Sequence, residues 1–398
     1  MGEGEVKVTR GPVRSPDDFL IFGSPLIGAE EKREVLDCLD TGWIGSGPKV
    51  TQFEKEFAAY QGADHAVGVH SCTAALHLSL LAAGIVPGDE VITTSLTFCA
   101  TVNSIIHAGG TPVLVDVERH TMNIDPVHVE VSITDRTRAI VPVHFAGRPC
   151  NLEALVELAE RHDLVLIEDC AHAVETLYRG QHTGTFGDFG CFSFYVTKNL
   201  ATGEGGMVVT PNEEHARHVK TLSLHGLSAD AWKRFGDEGY RHYKASECGF
   251  KYNMMDLQAA LGIHQLRRLE ANWERRRDIW AVYQEEFGRL PLRPPEAPEA
   301  DTRHAFHLYT VLVDKHRTGL GRDEFLQGMT AENVGVGVHY ESIPRHPYYQ
   351  ETFGWRPEQF PVSDEIGQQT VSLPLSAKLS DGDVDDVISA VRRVLGVD

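Results

Sequence analysis

Between Ala66 and Thr210, short apolar runs rich in β-branched residues recur: AVGV at 66–69, EVITT at 90–94, PVLVDV at 112–117, AIVPVHF at 139–145, LVLIED at 164–169 and GMVVT at 206–210. The stretches between them have the length and spacing of helices. Strands that read as continuous apolar runs are covered on both faces, so the pattern predicts an α/β fold, a three-layer unit around a mainly parallel sheet. Its ligand is expected in the crevice beyond the carboxyl ends of the strands. After Met254 the period changes. DLQAALGIHQLRRLEANWERRRDIWAVYQEEF carries apolar residues at three- and four-residue intervals among charges, which predicts a long helix joining two units. The proline-rich LPLRPPEAPEA at 290–300 reads as an exposed connection, and HLYTVLV at 307–313, VGVGVHY at 334–340 and the helical DGDVDDVISAVRRVL at 381–395 as a smaller α/β unit. The expected division is an N-terminal extension over 1–18, a large domain over 19–262 and a small C-terminal domain over 263–398.

Composition narrows the partners more than the chemistry. With 398 residues, 42% hydrophobic and 24% charged, the chain is an ordinary globular protein. Its 37 basic and 57 acidic residues give a net charge of −20, a field that repels nucleic acid. A phosphorylated small molecule is still admissible, because a pocket concentrates backbone N–H groups whatever the net charge. The seven cysteines, Cys38, Cys72, Cys99, Cys150, Cys170, Cys191 and Cys248, form no CxxC pair, so neither a metal site nor a dithiol switch is expected. Met1 to Phe19 has no apolar core, Val6 breaks the myristoylation pattern, and no stretch is long and apolar enough to span a bilayer; a cytoplasmic protein is expected.

Three segments could carry chemistry. In CFSFYVTKNLATGEGGMVV at 191–209, Lys198 stands among apolar and small residues before a Gly-rich turn and a strand. Desolvation would lower its pKa and free its amine to attack an aldehyde; equally, the side chain could snorkel to water, and spacing alone does not choose. In LVLIEDCAHAVE at 164–175, Asp169 ends a strand, where it could hold a protonated pyridine nitrogen or cap a following helix. His172 follows three residues on and by itself reads as structural. In VGVHSCTAALHLSLLAAG at 67–84, a strand runs through Ser71, Cys72 and Thr73 into a helix, a phosphate-binding geometry or a plain N-cap. A lysine nucleophile, an acidic ring partner and a phosphate cradle together are what pyridoxal 5'-phosphate requires.

With GWIGSGPKVTQFEKEFAAYQGA, SCTAALHLSLLAAG, TRAIVPVHFAGRP, IEDCAHA, FSFYVTKNLATGEGGMV and GFKYNMMDLQAALG in this order, the chain resembles the DegT/DnrJ/EryC1/StrS sugar aminotransferases over about residues 19–376. The resemblance implies the fold-type I architecture, with pyridoxal phosphate held by the large domain. It implies that Lys198 carries the cofactor as a Schiff base and that Asp169 holds the pyridinium nitrogen. It puts His172 near the ring's 3-hydroxyl and Phe98 against the ring face. Ser71, Cys72, Thr73, Ala74 and Ser193 fall at the phosphate turn, and Asn253 at an asparagine that reaches the phosphate from the neighbouring subunit, which implies a homodimer with shared sites. Trp43, Ser46, His339, Tyr340 and His346 fall on the substrate side.

Two departures stand out: Cys72 replaces the family's usual glycine, and the stretch from His339 to His346 lacks a proline-leucine-histidine common in relatives. Dehydratases that share the pattern carry histidine in place of the lysine, so Lys198 favours transamination. The expected reaction moves an amino group from glutamate or glutamine to a keto-sugar, most simply a UDP- or dTDP-linked 4-keto or 3-keto sugar, to make an amino sugar for cell-surface polysaccharide or natural-product glycosylation. The rivals are a keto-cyclitol aminotransferase and a pyridoxal-phosphate-binding regulator without turnover.

Overall fold

The computed structural model describes residues 11–227 and 244–397, so the reading of Met1–Arg10 lies outside the described residues. The strands are β1 His65–Val69, β2 Glu90–Thr94, β3 Thr111–Val115, β4 Thr137–Val141, β5 Val165–Asp169, a short hairpin of β6 Leu177–Tyr178 and β7 Gln181–His182, β8 Phe189–Ser193, β9 Gly206–Thr210, β10 Thr302–Arg303, β11 Tyr309–Leu312 and β12 Thr370–Leu373. Seven of them form one sheet in the order β1-β9-β8-β5-β4-β2-β3. All run parallel except β9, which is antiparallel to both its neighbours. The six anticipated runs are all strands of this sheet. β8 was missed, because its sequence FGCFS was read only as the approach to Lys198.

Helices cover both faces, and strand alternation decides which residue faces which layer. Phe189 and Cys191 of β8 and Val208 of β9 join one core with α3 Cys72–Ala82 and α7 Glu213–Ser223. Phe192 of β8 and Met207 and Val209 of β9 point the other way, into a core with α2 Pro48–Gln61 and α8 Asp256–Arg267. On that second face α6 Leu152–His162 covers β4 and β5. This is the expected three-layer α/β arrangement.

The long helix anticipated after Met254 is two helices. α8 ends where Arg268 takes φ −99°, ψ 1°, and α9 Leu269–Phe287 starts at once after it. α8 buries Ala259 and Ile263 on the sheet side, whereas α9 sends Ile279, Trp280, Tyr283 and Phe287 into a second apolar core. That core is closed by β11 and β12, α11 Arg322–Ala331 and α14 Asp381–Leu395. α14 matches its predicted span and is stopped by Gly396 in the left-handed conformation. VGVGVHY at 334–340 forms only isolated bridges, Val334 to Leu20 and Gly337 to Ser372. Leu20 enters the second core, and Arg14 bonds Asp383 at 2.7 Å and Asp386 at 2.8 Å on α14.

Candidate active site

A cleft of about 440 Å³ opens along the carboxyl edge of the sheet. Asp169 reaches it from the end of β5, Ser193 from the end of β8, and Ser71 from the turn after β1. Lys198, His172, Phe98, His339 and Tyr340 complete its walls. Gly206 keeps the turn close: a Cβ there would stand 2.5 Å from the backbone of Ser71, so only glycine lets β9 approach the start of α3.

Burial lowers the Lys198 pKa to about 8, against a weaker pull upward from Cys72 and Asp169. A substantial fraction of its amine is therefore neutral at mildly alkaline pH, which answers the question left open by spacing. Asp169 is buried and accepts hydrogen bonds from Thr101 Oγ1 at 2.9 Å and the Ala171 N–H at 3.1 Å. Burial raises its pKa while these two donors and Lys198 oppose the rise. A turn rather than a helix follows it, so the helix-cap alternative fails. Its neighbour Glu168 points to the other face, where His144 Nε2 stands at 3.0 Å and the N–H groups of Gly184, Phe186 and Gly187 bond it at 2.8–2.9 Å. His144, Glu168 and Cys170 have the proximity of a metal site, but Glu168 spends both oxygens on these donors, and His144 Nδ1 accepts the Cys150 N–H at 3.0 Å. His144 and Glu168 form a hydrogen-bonded knot with the backbone around them, and Cys170 lies beside it.

The phosphate turn is built as a capped helix start. Ser71 Oγ accepts the Ala74 N–H at 3.1 Å, so its cap role is real. The side chain of Ala74 is buried outside the cleft lining, while the first-turn N–H groups of Cys72 and Thr73 have no intrahelical acceptor. Cys72 is the first residue of α3 and has no positive φ, so the family's glycine is not needed there. Phe98 is 57% exposed in the cleft wall, which removes the core reading of this ring.

Not every anticipated residue reaches this cleft. Trp43, Ser46 and Asn253 instead line a second cavity of about 270 Å³, where Asn253 Nδ2 donates to Ser46 Oγ at 2.6 Å and Asn253 Oδ1 is buried without a partner among the described residues. His346 also lies outside the cleft lining: it caps α12 Pro347–Phe353 and packs its ring on Tyr349 at 6.1 Å. Its place in the sequence near His339 is undone by the turn at Ile343–Arg345.

Sequence reasoning missed several neighbours. Thr101 orients Asp169, and Tyr195, Thr197 and Glu204 line the cleft. Behind Lys198, Asn199 donates to Glu175 at 2.9 Å and to the Ala305 carbonyl at 3.0 Å, and accepts from His307 Nδ1 at 3.0 Å. Glu175 is buried and ion-paired with buried Arg276, and the His307 ring packs 4.6 Å from that of His172. The contacts of Asn199 join segments more than 20 and 100 residues apart, so no local pattern marked them.

Sheet, cleft and the lysine–aspartate pair define a fold-type I pyridoxal-phosphate enzyme. The comparisons agree: residues 25–392 match the DegT/DnrJ/EryC1/StrS aminotransferase family. The chain is 50% identical over 384 residues to the Bacillus subtilis spore coat polysaccharide biosynthesis protein SpsC, covering 96% of this chain and 99% of that protein. Spr1654 from Streptococcus pneumoniae in its PLP form superposes with a TM-score of 0.88 at 31% identity, covering 95% and 99% of the two chains. DesV of S. venezuelae, solved with a ketimine intermediate, gives 0.83 at 35% identity, covering 92% and 94%. The chain belongs to the DegT/DnrJ/EryC1/StrS family and is a pyridoxal-phosphate-dependent aminotransferase.

Proposed function

We propose that the protein transfers an amino group from glutamate or glutamine to a nucleotide-linked keto-sugar, forming an amino sugar for a surface polysaccharide. The observation that carries the reading is the pairing, in one cleft, of a lysine amine with lowered pKa and a buried carboxylate that retains acceptor capacity toward the cavity. The relation to a polysaccharide biosynthesis protein supports the sugar and the pathway class.

The residues fit the cofactor. Lys198 would hold its aldehyde carbon, Asp169 its ring nitrogen, the exposed face of Phe98 its ring, and Ser71, Thr73 and Ser193 its phosphate. When bound, the cofactor supplies an electron sink for the carbanion left by loss of an α-proton. The Lys198 amine would be the base that takes this proton from the donor and returns one to the acceptor carbon. Asp169 would face the ring nitrogen and hold a proton there, with Thr101 and the Ala171 N–H orienting its carboxylate. Tyr340, His172 and His339 bound the substrate side and limit water.

Asn253, grouped with Ser46 and Trp43 outside the cleft, supports a homodimer in which each copy completes its neighbour's phosphate site. Exposed Leu36, Leu39, Trp43 and Ile44 lie along the same part of the chain. The break at Arg268 supports a division between a large and a small domain at the α8–α9 junction, a few residues beyond the expected boundary at 262, because Ile263 and Leu266 still pack on the large sheet. A cytoplasmic location accords with nucleotide-sugar chemistry; no helix of the described residues is long and apolar enough to cross a membrane.

The test is a half-reaction from the pyridoxamine form with a panel of UDP- and dTDP-keto-sugars and keto-cyclitols, read at the cofactor's visible band. Return of the band with a nucleotide sugar is expected, and Lys198→Ala should abolish it. Return with cyclitols alone moves the substrate class. A band that glutamate and glutamine cannot bleach points to a regulator.

A further inference from the structure

Tyr340 closes the cleft over His172: its hydroxyl oxygen lies 2.9 Å from His172 Nε2, and the two rings stack at 6.0 Å and 14°. The direction of that hydrogen bond is fixed from behind. The backbone N–H of Ala146 points at His172 Nδ1 at 3.2 Å, and a backbone N–H can only donate. Nδ1 is therefore the lone-pair nitrogen, and the single hydrogen of the neutral ring sits on Nε2. Burial among Lys198, His307 and His339 pushes the imidazolium form of His172 well out of reach, in agreement with this tautomer. His172 thus donates to Tyr340, and the Tyr340 oxygen is already an acceptor. Burial also keeps the phenol protonated. Its own hydrogen has no protein acceptor among the described residues, and the residue lines the cleft beside Lys198 and Asp169.

We propose that Tyr340 is a one-way hydrogen-bond donor at the reacting end of the cleft, oriented by the Ala146–His172 relay, and that it selects a ligand presenting an oxygen acceptor there. The acceptor has two sources, an oxygen of the cofactor ring or an oxygen of the keto substrate. The substrate arm rests on the reading of the preceding section; the tautomer does not.

Three measurements test it. In the cofactor-free protein, ¹⁵N correlation spectra of the His172 ring should show a hydrogen on Nε2 and a bare, hydrogen-bonded Nδ1 between neutral and mildly alkaline pH. An Nδ1–H tautomer or an imidazolium overturns the proposal. In Tyr340→Phe holoenzyme, loss of one hydrogen bond should appear as an effect of about tenfold. A shifted pH midpoint of the cofactor's visible band with unchanged KM for the keto-sugar assigns the hydrogen to the cofactor. An unchanged band with KM or kcat/KM altered assigns it to the substrate. No change in either overturns the proposal, as does a tenfold loss that Tyr340→His, which can donate but is shorter, repairs no better than phenylalanine in both arms. If the wild type turns over no keto-sugar, the proposed function fails while the tautomer and the band still decide this inference.

Discussion

Glu168 and Asp169 are adjacent on one strand, both buried, both carboxylates, and they do opposite work because a strand sends consecutive side chains to opposite faces. On the face away from the cleft, Glu168 is saturated by three backbone N–H groups and His144. On the cleft side, Asp169 accepts from Thr101 Oγ1 and the Ala171 N–H, has only the weak Cys72 thiol donor 4.0 Å away besides, and faces a cavity that holds a lysine. A saturated buried carboxylate fixes loops; one with acceptor capacity left toward a cavity is free to bind a group there, and the cofactor's ring nitrogen is the group proposed for Asp169. The difference lies in what each face brings to the strand.

The comparison can be broken most severely at Asp169. Asp169→Asn keeps the shape, and turnover should fall by about 10³-fold or more while the unfolding free energy moves by less than about 1 kcal/mol. Half-reaction rates and denaturant melts of the same sample decide it; equal loss in both would make the residue structural. Glu168→Ala should invert the pattern, costing about 3–5 kcal/mol of stability by leaving His144 and three N–H groups without their acceptor. A variant that folds as well as wild type would refute the saturated-knot account.

The charge state of Lys198 gives a smaller effect, with a definite sign. Its folded pKa of about 8 lies below the ordinary 10.5, so between these values the unfolded chain binds a proton that the folded chain does not. The contribution of Lys198 to stability therefore rises as pH increases through that window. Buried Cys150, Cys170 and Cys191, whose pKa values are raised, push the other way above pH 9, so the quantity to read is the cofactor-free wild type minus Lys198→Met. The wild type should gain on the variant from pH 8 upward, and a flat difference would place the amine in water. Smallest is Thr101→Val. Removing one hydrogen bond from Asp169 should slow the glutamate half-reaction by about tenfold with little change in melting temperature.

How much of this was legible follows from the range of each signal. The apolar runs gave six sheet strands because a strand buried on both faces is a continuous apolar run whatever its partner, and α14 because its cap, its period and its terminal glycine are all local. The break at Arg268 was invisible: the apolar period runs on across it, and only packing of α8 on the sheet and α9 on the second core separates them. Nearness in sequence to His339 did not bring His346 into the cleft lining, since a single turn separates them.

For the site, the sequence by itself determined the kinds of group present: a lysine in an apolar stretch, an aspartate at a strand end, a serine turn opening a helix. Those signals are written within a few residues. Only the tertiary structure decided that half-buried Lys198 turns into the cleft, that Asp169 and not Glu168 faces it, and that His172 carries its hydrogen on Nε2. Each depends on atoms contributed by distant segments, Thr101, Ala146 and Tyr340 among them, and a pKa, an open lone pair or a tautomer is a property of that assembled surrounding.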